Sequence, residues 1–271
     1  MTTPVRDAAT VVLIRDGEQF GRAGTGVEVF LMRRVRQMAF AGGMTVFPGG
    51  GVDPTDARPT HGTVALPWTG PDPDEWASSL GADVATTQAL VCAAVRETFE
   101  ECGVLLATDS SGTFPDVGAL QADRRALEAK TLSVATFLRD RGLTLRADLI
   151  RPLAHWITPE AESRRYDTRF FLAALPEGQN ADGETTEAAE TGWSTPRAAL
   201  DAWAAGRHHL LPPTWAQLRY LDGFRTVADA MAAESVIEPI QPTIVSDGTH
   251  TRIVFDGDAD YLGARTGVQL P

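Results

Sequence analysis

The sequence predicts an α/β chain in which strand-like segments alternate with amphipathic helices. Three observations carry this. Runs rich in β-branched and apolar residues, such as Ala8 to Arg15 and Val27 to Arg34, are bounded by glycine-containing breaks. Apolar residues recur at helical spacing in Ala93 to Val104, Ala119 to Arg141 and Pro212 to Met231. With 271 residues and 43% hydrophobic content, the chain can bury a substantial core as one large domain or as one domain with an appendage.

In chain order, Ala8-Ala9-Thr10-Val11-Val12-Leu13-Ile14-Arg15 reads as a strand buried on both faces, ended by Asp16-Gly17 and followed by a glycine-rich loop to Gly26. Val27 to Arg34 reads as the second strand; Arg33 and Arg34, with Arg36 beyond, either face a substrate's phosphates or solvate the strand end. Met38 to Gly43 is a loop and Met44 to Phe47 a third strand. Residues about 57–87 are rich in proline, glycine and small polar residues, and Pro73 to Leu80 is expected to open a short helix with Asp72 or Asp74 near its N-terminus. Trp68 and Trp76 are read as staples holding this segment to the body. Ala119 to Arg141 is expected to be helical until Gly142, and Leu149 to Ile157 and Arg169 to Leu175 are strand candidates. In the charged connection Glu160 to Asp167, Arg164 and Arg165 either meet phosphate or balance nearby acids. Asp182 to Trp193 carries a second acidic group and then a short strand-like piece. Thr195 and Pro196 open a helix running to Ala205. A further helix begins at Pro212, with Trp215, Leu218, Leu221, Phe224, Val227 and Met231 as a core stripe. His208-His209 lacks a third ligand nearby and reads as loop; the tail returns to strands, Ile240 to Val245 and Thr251 to Phe255, joined by a turn at Asp247-Gly248.

The chemistry concentrates in Ala93 to Val104. At about 100° per residue, Val91, Val95, Thr98, Phe99 and Cys102 share one apolar arc, while Glu97, Glu100 and Glu101 gather opposite. Three like charges this close raise one another's pKa and weaken the helix unless a cation sits among them. Carboxylate oxygens suit Mg²⁺ or Mn²⁺; the competing reading is a solvated acidic face with an Arg96–Glu100 ion pair. Upstream, Val46-Phe47-Pro48-Gly49-Gly50-Gly51-Val52-Asp53-Pro54 is a strand end running into glycine-rich backbone able to approach a phosphate or offer a carbonyl to a metal.

Together, Pro48-Gly49-Gly50 and Arg96-Glu97-x-x-Glu100-Glu101-x-Gly103-Val104 resemble the signature of Nudix hydrolases. Two departures mark this chain: Asp56 stands where a glutamate is usual, and the segment of about 57–87 interrupts the motif. That interruption resembles the split box of the peroxisomal-type coenzyme A diphosphatases. So do Phe30 to Arg34, Ala39 to Gly50, Val104-Leu105-Leu106, His155 to Pro159 and Arg164 to Leu172.

The resemblance implies a Nudix fold, with a mixed β-sheet sandwiched between helices over 1–198, an insertion inside the box, and a helical C-terminal extension with a β-like tail over 199–271. It also implies hydrolysis of a nucleoside diphosphate linked to another group, coenzyme A or acyl-coenzyme A first, with ADP-ribose, NADH or a nucleotide sugar as the alternative. A non-catalytic ligand-binding protein of the same fold is the third reading. Glu97, Glu100, Glu101 and Gly50 are expected to hold Mg²⁺ or Mn²⁺, and Arg96 to orient the glutamates. Gly49, Gly50, Arg33, Arg34, Arg164 and Arg165 are expected to meet the substrate. An acid outside the box, Glu187 with Glu184 and Glu190 as competitors, is expected to complete the metal shell or act as general base. A homodimer is a family-level expectation.

A net charge of −12 and a pI near 4.8 argue against nucleic acid as partner. Cys92 and Cys102 read as buried thiols in a reducing compartment. No signal peptide and no apolar run long enough to cross a bilayer are seen, so the expectation is a cytoplasmic protein acting on a small molecule.

Overall fold

The computed structural model describes residues 3–19, 22–38, 41–56, 66–234, 236–246 and 251–264. The first half of the chain comprises β1 (Val5–Gln19), β2 (Arg22–Arg34), β3 (Thr45–Val46), β4 (Gly49–Gly51), β5 (Trp68–Thr69), α1 (Pro73–Leu80), α2 (Val84–Cys102), β6 (Ala107–Thr108) and α3 (Gln121–Glu128). There follow α4 (Val134–Asp140), β7 (Thr144–Arg146), β8 (Ile150–Ile157), β9 (Arg165–Ala174), β10 (Ala188–Ser194), α5 (Pro196–Ala204) and α6 (Pro212–Leu221). The chain closes with α7 (Val227–Ala232), β11 (Pro239–Ile240), β12 (Thr243–Ser246), β13 (Thr251–Val254) and α8 (Asp258–Gly263).

The main sheet runs β10-β2-β1-β9-β8-β11, with β3 added to β2 and β4 to β1. It is mixed, because β1 pairs parallel with β9 but antiparallel with β2 and β4. Central position explains the composition of β1, whose successive side chains enter two cores. Ala9, Val11 and Leu13 meet α2, whereas Val12 and Ile14 meet the C-terminal helices. The sheet is thus sandwiched between helices, as the resemblance implies. On the second face, Trp203 stacks on Tyr261 at 5.0 Å, and Trp215 meets the same ring edge-on at 5.4 Å.

Several boundaries differ from the sequence expectation. Asp16-Gly17 does not end the first strand. A bulge lets the chain continue, pairing Glu18 with Ala23 and Gln19 with Arg22, where a glycine-rich loop was expected. The glycine run forms β4 against Ala8 to Thr10 because its lack of side chains permits close approach. The helix expected over 119–141 is two, α3 and α4, separated where Lys130 turns left-handed (φ 56°) and Ser133 caps α4 through Thr136. The Pro212 to Met231 stripe likewise belongs to two helices, α6 and α7, and α8 follows the strands of the tail. The last three residues of the charged connection 160–167 are strand, since β9 begins at Arg165.

Residues 57–65 of the expected insertion and the Asp247-Gly248 turn lie outside the described residues. The described part of the insertion holds β5, α1 and the first turn of α2. Trp68 Nε1 donates to Pro71 O at 2.9 Å and Trp76 lies 6.3 Å from Phe171, so both tryptophans face protein. Among the described residues, no helix is long and apolar enough to cross a membrane.

Candidate active site

α2 begins inside the segment read as insertion, at Val84, where Asp83 accepts a hydrogen bond from the Thr86 N–H at 2.8 Å. It ends at Gly103, left-handed at φ 70°. The apolar arc packs as expected, with Phe99 stacked on Phe137 at 5.6 Å. The opposite arc is not solvated: Glu97, Glu100 and Glu101 are 9%, 8% and 4% exposed. That overturns the solvated-face reading, although its Arg96–Glu100 ion pair is present at 3.1 Å.

The cover is the glycine run of β4. A Cβ on Gly50 would stand 2.4 Å from Glu97 Oε1, and one on Gly49 would stand 2.5 Å from Ala9 O. At Gly49 the neighbour is fixed backbone and only glycine fits, whereas at Gly50 it is the end of the Glu97 side chain, which a larger residue would displace. The Gly49 N–H donates to Glu101 Oε2 at 2.6 Å. Arg96 is the other organiser. Its Nη1 donates to Glu97 Oε1 at 2.8 Å and Glu100 Oε2 at 3.1 Å, and its Nη2 to Gly51 O at 3.0 Å. Asp56, fully enclosed, grips the same guanidinium through Nε (2.9 Å) and Nη2 (2.8 Å). The shorter acid therefore completes the fork from its own position in the chain.

The electrostatics are those of a cluster short of positive charge. Burial raises the pKa of all three glutamates, to about 7 for Glu100. Repulsion from Glu97 lifts Glu101 further, while Arg96 opposes the rise at Glu97 and Glu100 without cancelling it. Glu100 Oε1 is buried and has no hydrogen-bond partner among the described residues. Among those residues no three acidic, imidazole or thiol groups yet converge as a cation cage. The donor set, a partnerless buried oxygen and carboxylates that outnumber the buried Arg96 guanidinium among them, nevertheless fits a hard divalent ion.

The remaining candidates distribute unevenly. Glu187 lies close enough to raise the pKa of Glu97 and Glu101, and its carboxylate meets Arg34 at 2.7 Å. Arg34 follows Phe30 and Met32 on the α2 side of β2, whereas Arg33 follows Leu31 on the other face and pairs with Glu190 at 2.8 Å. Arg164 is exposed in the turn before β9. Arg165 is buried, donating to Thr158 O and Thr3 O, and sits at the register of Val5. Gly50 is at the register of Ala9, so Arg165 is four positions, roughly 13 Å, along the sheet. Sequence reasoning left the role of Asp56 open and missed Lys130, which reaches Asp53 at 3.1 Å, and Arg124, which reaches the Glu100 carbonyl at 3.0 Å. Neither contact has a local signal, because each joins segments far apart in the chain. The cysteines are both free and buried.

A family model described as the NUDT19 Nudix domain matches residues 5–221. The chain is 28% identical over 244 residues to human acyl-coenzyme A diphosphatase NUDT19, covering 75% of this chain and 63% of that protein. It is 24% identical over 235 residues to the Xenopus laevis protein of the same name, covering 74% and 61%. It thus spans less than two thirds of the length of either relative. The crystal structure of a Nudix hydrolase from Alicyclobacillus acidocaldarius superposes with a TM-score of 0.67 at 29% identity, covering 87% of this chain and 99% of that one.

Proposed function

The chain belongs to the family described as the NUDT19 Nudix domain, and from that membership we propose that it hydrolyses the diphosphate bond of a nucleoside diphosphate joined to a second group. Coenzyme A or an acyl-coenzyme A is the proposed substrate. The observation that carries the chemistry is the buried glutamate triad, clamped by Arg96 and Asp56 beneath Gly49 and Gly50. The substrate reading is supported by the two relatives named as acyl-coenzyme A diphosphatases, which align with three quarters of the chain.

Glu97, Glu100 and Glu101, with the Gly50 carbonyl, would hold Mg²⁺ or Mn²⁺. Such an ion supplies positive charge for diphosphate oxygens and lowers the pKa of water in its shell. Arg96, fixed by Asp56, holds the Glu97 and Glu100 carboxylates in register on the helix face. The Gly49 N–H does the same for Glu101. Glu187 is the proposed acceptor of the proton from the attacking water, oriented by Arg34, whose guanidinium also offers a phosphate contact. Water adds to one phosphorus, the bridging P–O bond breaks, and two phosphate monoesters leave.

The test is product identification by mass spectrometry with Mg²⁺ or Mn²⁺, offering coenzyme A, acetyl-coenzyme A, ADP-ribose and NADH at equal concentration, with Glu101→Gln as control. The expected products are 3′,5′-ADP and a 4′-phosphopantetheine fragment, both lost in the variant. AMP from ADP-ribose or NADH alone would keep the chemistry and discard the coenzyme A assignment. Full activity of Glu101→Gln would discard the mechanism.

A further inference from the structure

Behind the glutamates, the last turn of α2 is bound to the segment that carries Glu187. The last four carbonyls of a helix have no partner within it. Here Phe99 O accepts from the Gly103 N–H at 3.0 Å, Glu100 O from Arg124 Nε at 3.0 Å, and Cys102 O from the Asp182 N–H at 2.9 Å. Arg124, on α3, is 2% exposed, and its Nη1 and Nη2 close a fork on Asp182 Oδ2 and Oδ1 at 2.8 Å each. The fork lies directly over the helix end. A Cβ on Gly103 would stand 2.5 Å from Asp182 Oδ2 and 2.9 Å from Arg124 Nη1.

From Asp182 the chain makes a tight turn toward Glu187. Asp182 Oδ1 accepts from the Glu184 N–H at 3.0 Å, Gly183 O from the Thr185 N–H at 2.8 Å, and Thr185 Oγ1 from the Glu187 N–H at 3.2 Å. Thr186 Oγ1 reaches back to Glu128 on α3 at 3.0 Å. At the far end Glu187 is tied by Arg34, the last residue of β2, at 2.7 Å and by the N–H of Val35, the residue after it, on its carbonyl at 2.9 Å. The turn is therefore referred to α2 and α3 through Asp182, to α3 through Thr186 and to the end of β2 through Glu187, while Gly183, Glu184 and Thr185 are held by bonds within the turn.

We propose that the Arg124–Asp182 pair is a brace that fixes the 182–187 turn on the end of the glutamate helix, and so sets where the Glu187 carboxylate stands relative to Glu97 and Glu101. Arg124 and Asp182 are positioning residues that act on the rate through Glu187. This rests on the reading of Glu187 as proton acceptor given above. A lysine at 124 keeps the charge but cannot form the fork or reach the Glu100 carbonyl at the same time.

The test is a double-mutant cycle in kcat, with KM measured alongside, using the whole chain with saturating Mn²⁺ and a substrate the native protein cleaves. Arg124→Lys is expected to lower kcat by tenfold or more, since a displacement of about 1 Å can cost on the order of a hundredfold, with KM nearly unchanged. In a Glu187→Gln background the same substitution is expected to cost nothing further. Asp182→Asn, nearly isosteric, should repeat the pattern and serves if Arg124→Lys fails to fold. An equal loss from Arg124→Lys in both backgrounds, or native kcat in both brace variants, overturns the brace while leaving Glu187 in place. Native kcat in Glu187→Gln overturns the reading of Glu187 and the brace with it.

Discussion

Glu100 carries the clearest pH signature of the buried cluster. Its folded-state pKa is raised to about 7 because burial disfavours the charged form, whereas the unfolded chain releases this proton near 4.5. Between those values the folded protein binds the extra proton, so this contribution to stability is present below the unfolded pKa and lost as pH rises through the folded one. Other carboxylates, such as Asp53 and Asp182, are shifted downward and slope the opposite way. The difference between native protein and Glu100→Gln isolates the one residue. In chelator, the variant is expected to gain stability relative to native on going from about pH 5 to about pH 8, by on the order of 2 kcal/mol. Melting at the two pH values reads this directly, and an unchanged difference would show that Glu100 is not proton-bound in the fold. Gly50 supplies a second residue-scale prediction. Gly50→Ala places a methyl 2.4 Å from Glu97 Oε1, and is expected to cost about 1–3 kcal/mol of stability and about a hundredfold in kcat. Comparable activity in the alanine variant would show that Glu97 can move aside freely.

At the scale of the element, α2 shows what periodicity reveals and what it hides. The two arcs, the Arg96–Glu100 pair and the glycine at the C-terminal end could all be read from residue order, since each depends on neighbours within about one turn. The burial of the acidic arc could not, because its cover comes from β4, nearly 50 positions upstream. The same distinction explains the divided helix over 119–141. Lys130 adopts a left-handed conformation without being glycine or asparagine, so composition gave no stop signal there. Arg124 and Asp182 lie 58 positions apart and carry no local mark of their pairing. Asp56 belongs to this scale too, because it determines where the helix's arginine points. Removing it by Asp56→Ala leaves Arg96 Nε and one Nη2 hydrogen without an acceptor, because Glu97 and Glu100 both meet Nη1 and Gly51 O takes only one hydrogen of Nη2. Leaving those buried donors without an acceptor is expected to cost about 1–3 kcal/mol, partly offset because Glu97 and Glu100 lose a neighbouring like charge, and is measurable by urea unfolding. A cost below about 1 kcal/mol would place the pair in the class of solvated surface bridges.

The whole molecule places its two cores on opposite faces of one sheet. Val12, Ile14, Val29, Leu31 and Leu172 bury one face against Ala199, Leu200, Trp203 and the helices beyond. A chain cut after residue 198 would expose that face, and it is expected to lose cooperative unfolding and to bind a hydrophobic dye. In the full chain, Trp203→Ala removes a side chain that is 1% exposed and is expected to cost about 3–5 kcal/mol. The sheet thus serves as a rigid partition, with apolar packing on the extension side holding β1 and β4 in place for the glutamates on the other. The partition holds in place the buried glutamate cluster, which in the proposed function binds a divalent cation. Calorimetric titration of Mn²⁺ tests that binding most directly, comparing native protein with Glu97→Gln, Glu100→Gln and Glu101→Gln, each confirmed to be folded. Saturable binding by the native chain is expected, weakened tenfold or more by each substitution, about 1.4 kcal/mol per decade. Equal binding by native protein and all three variants would contradict the proposal.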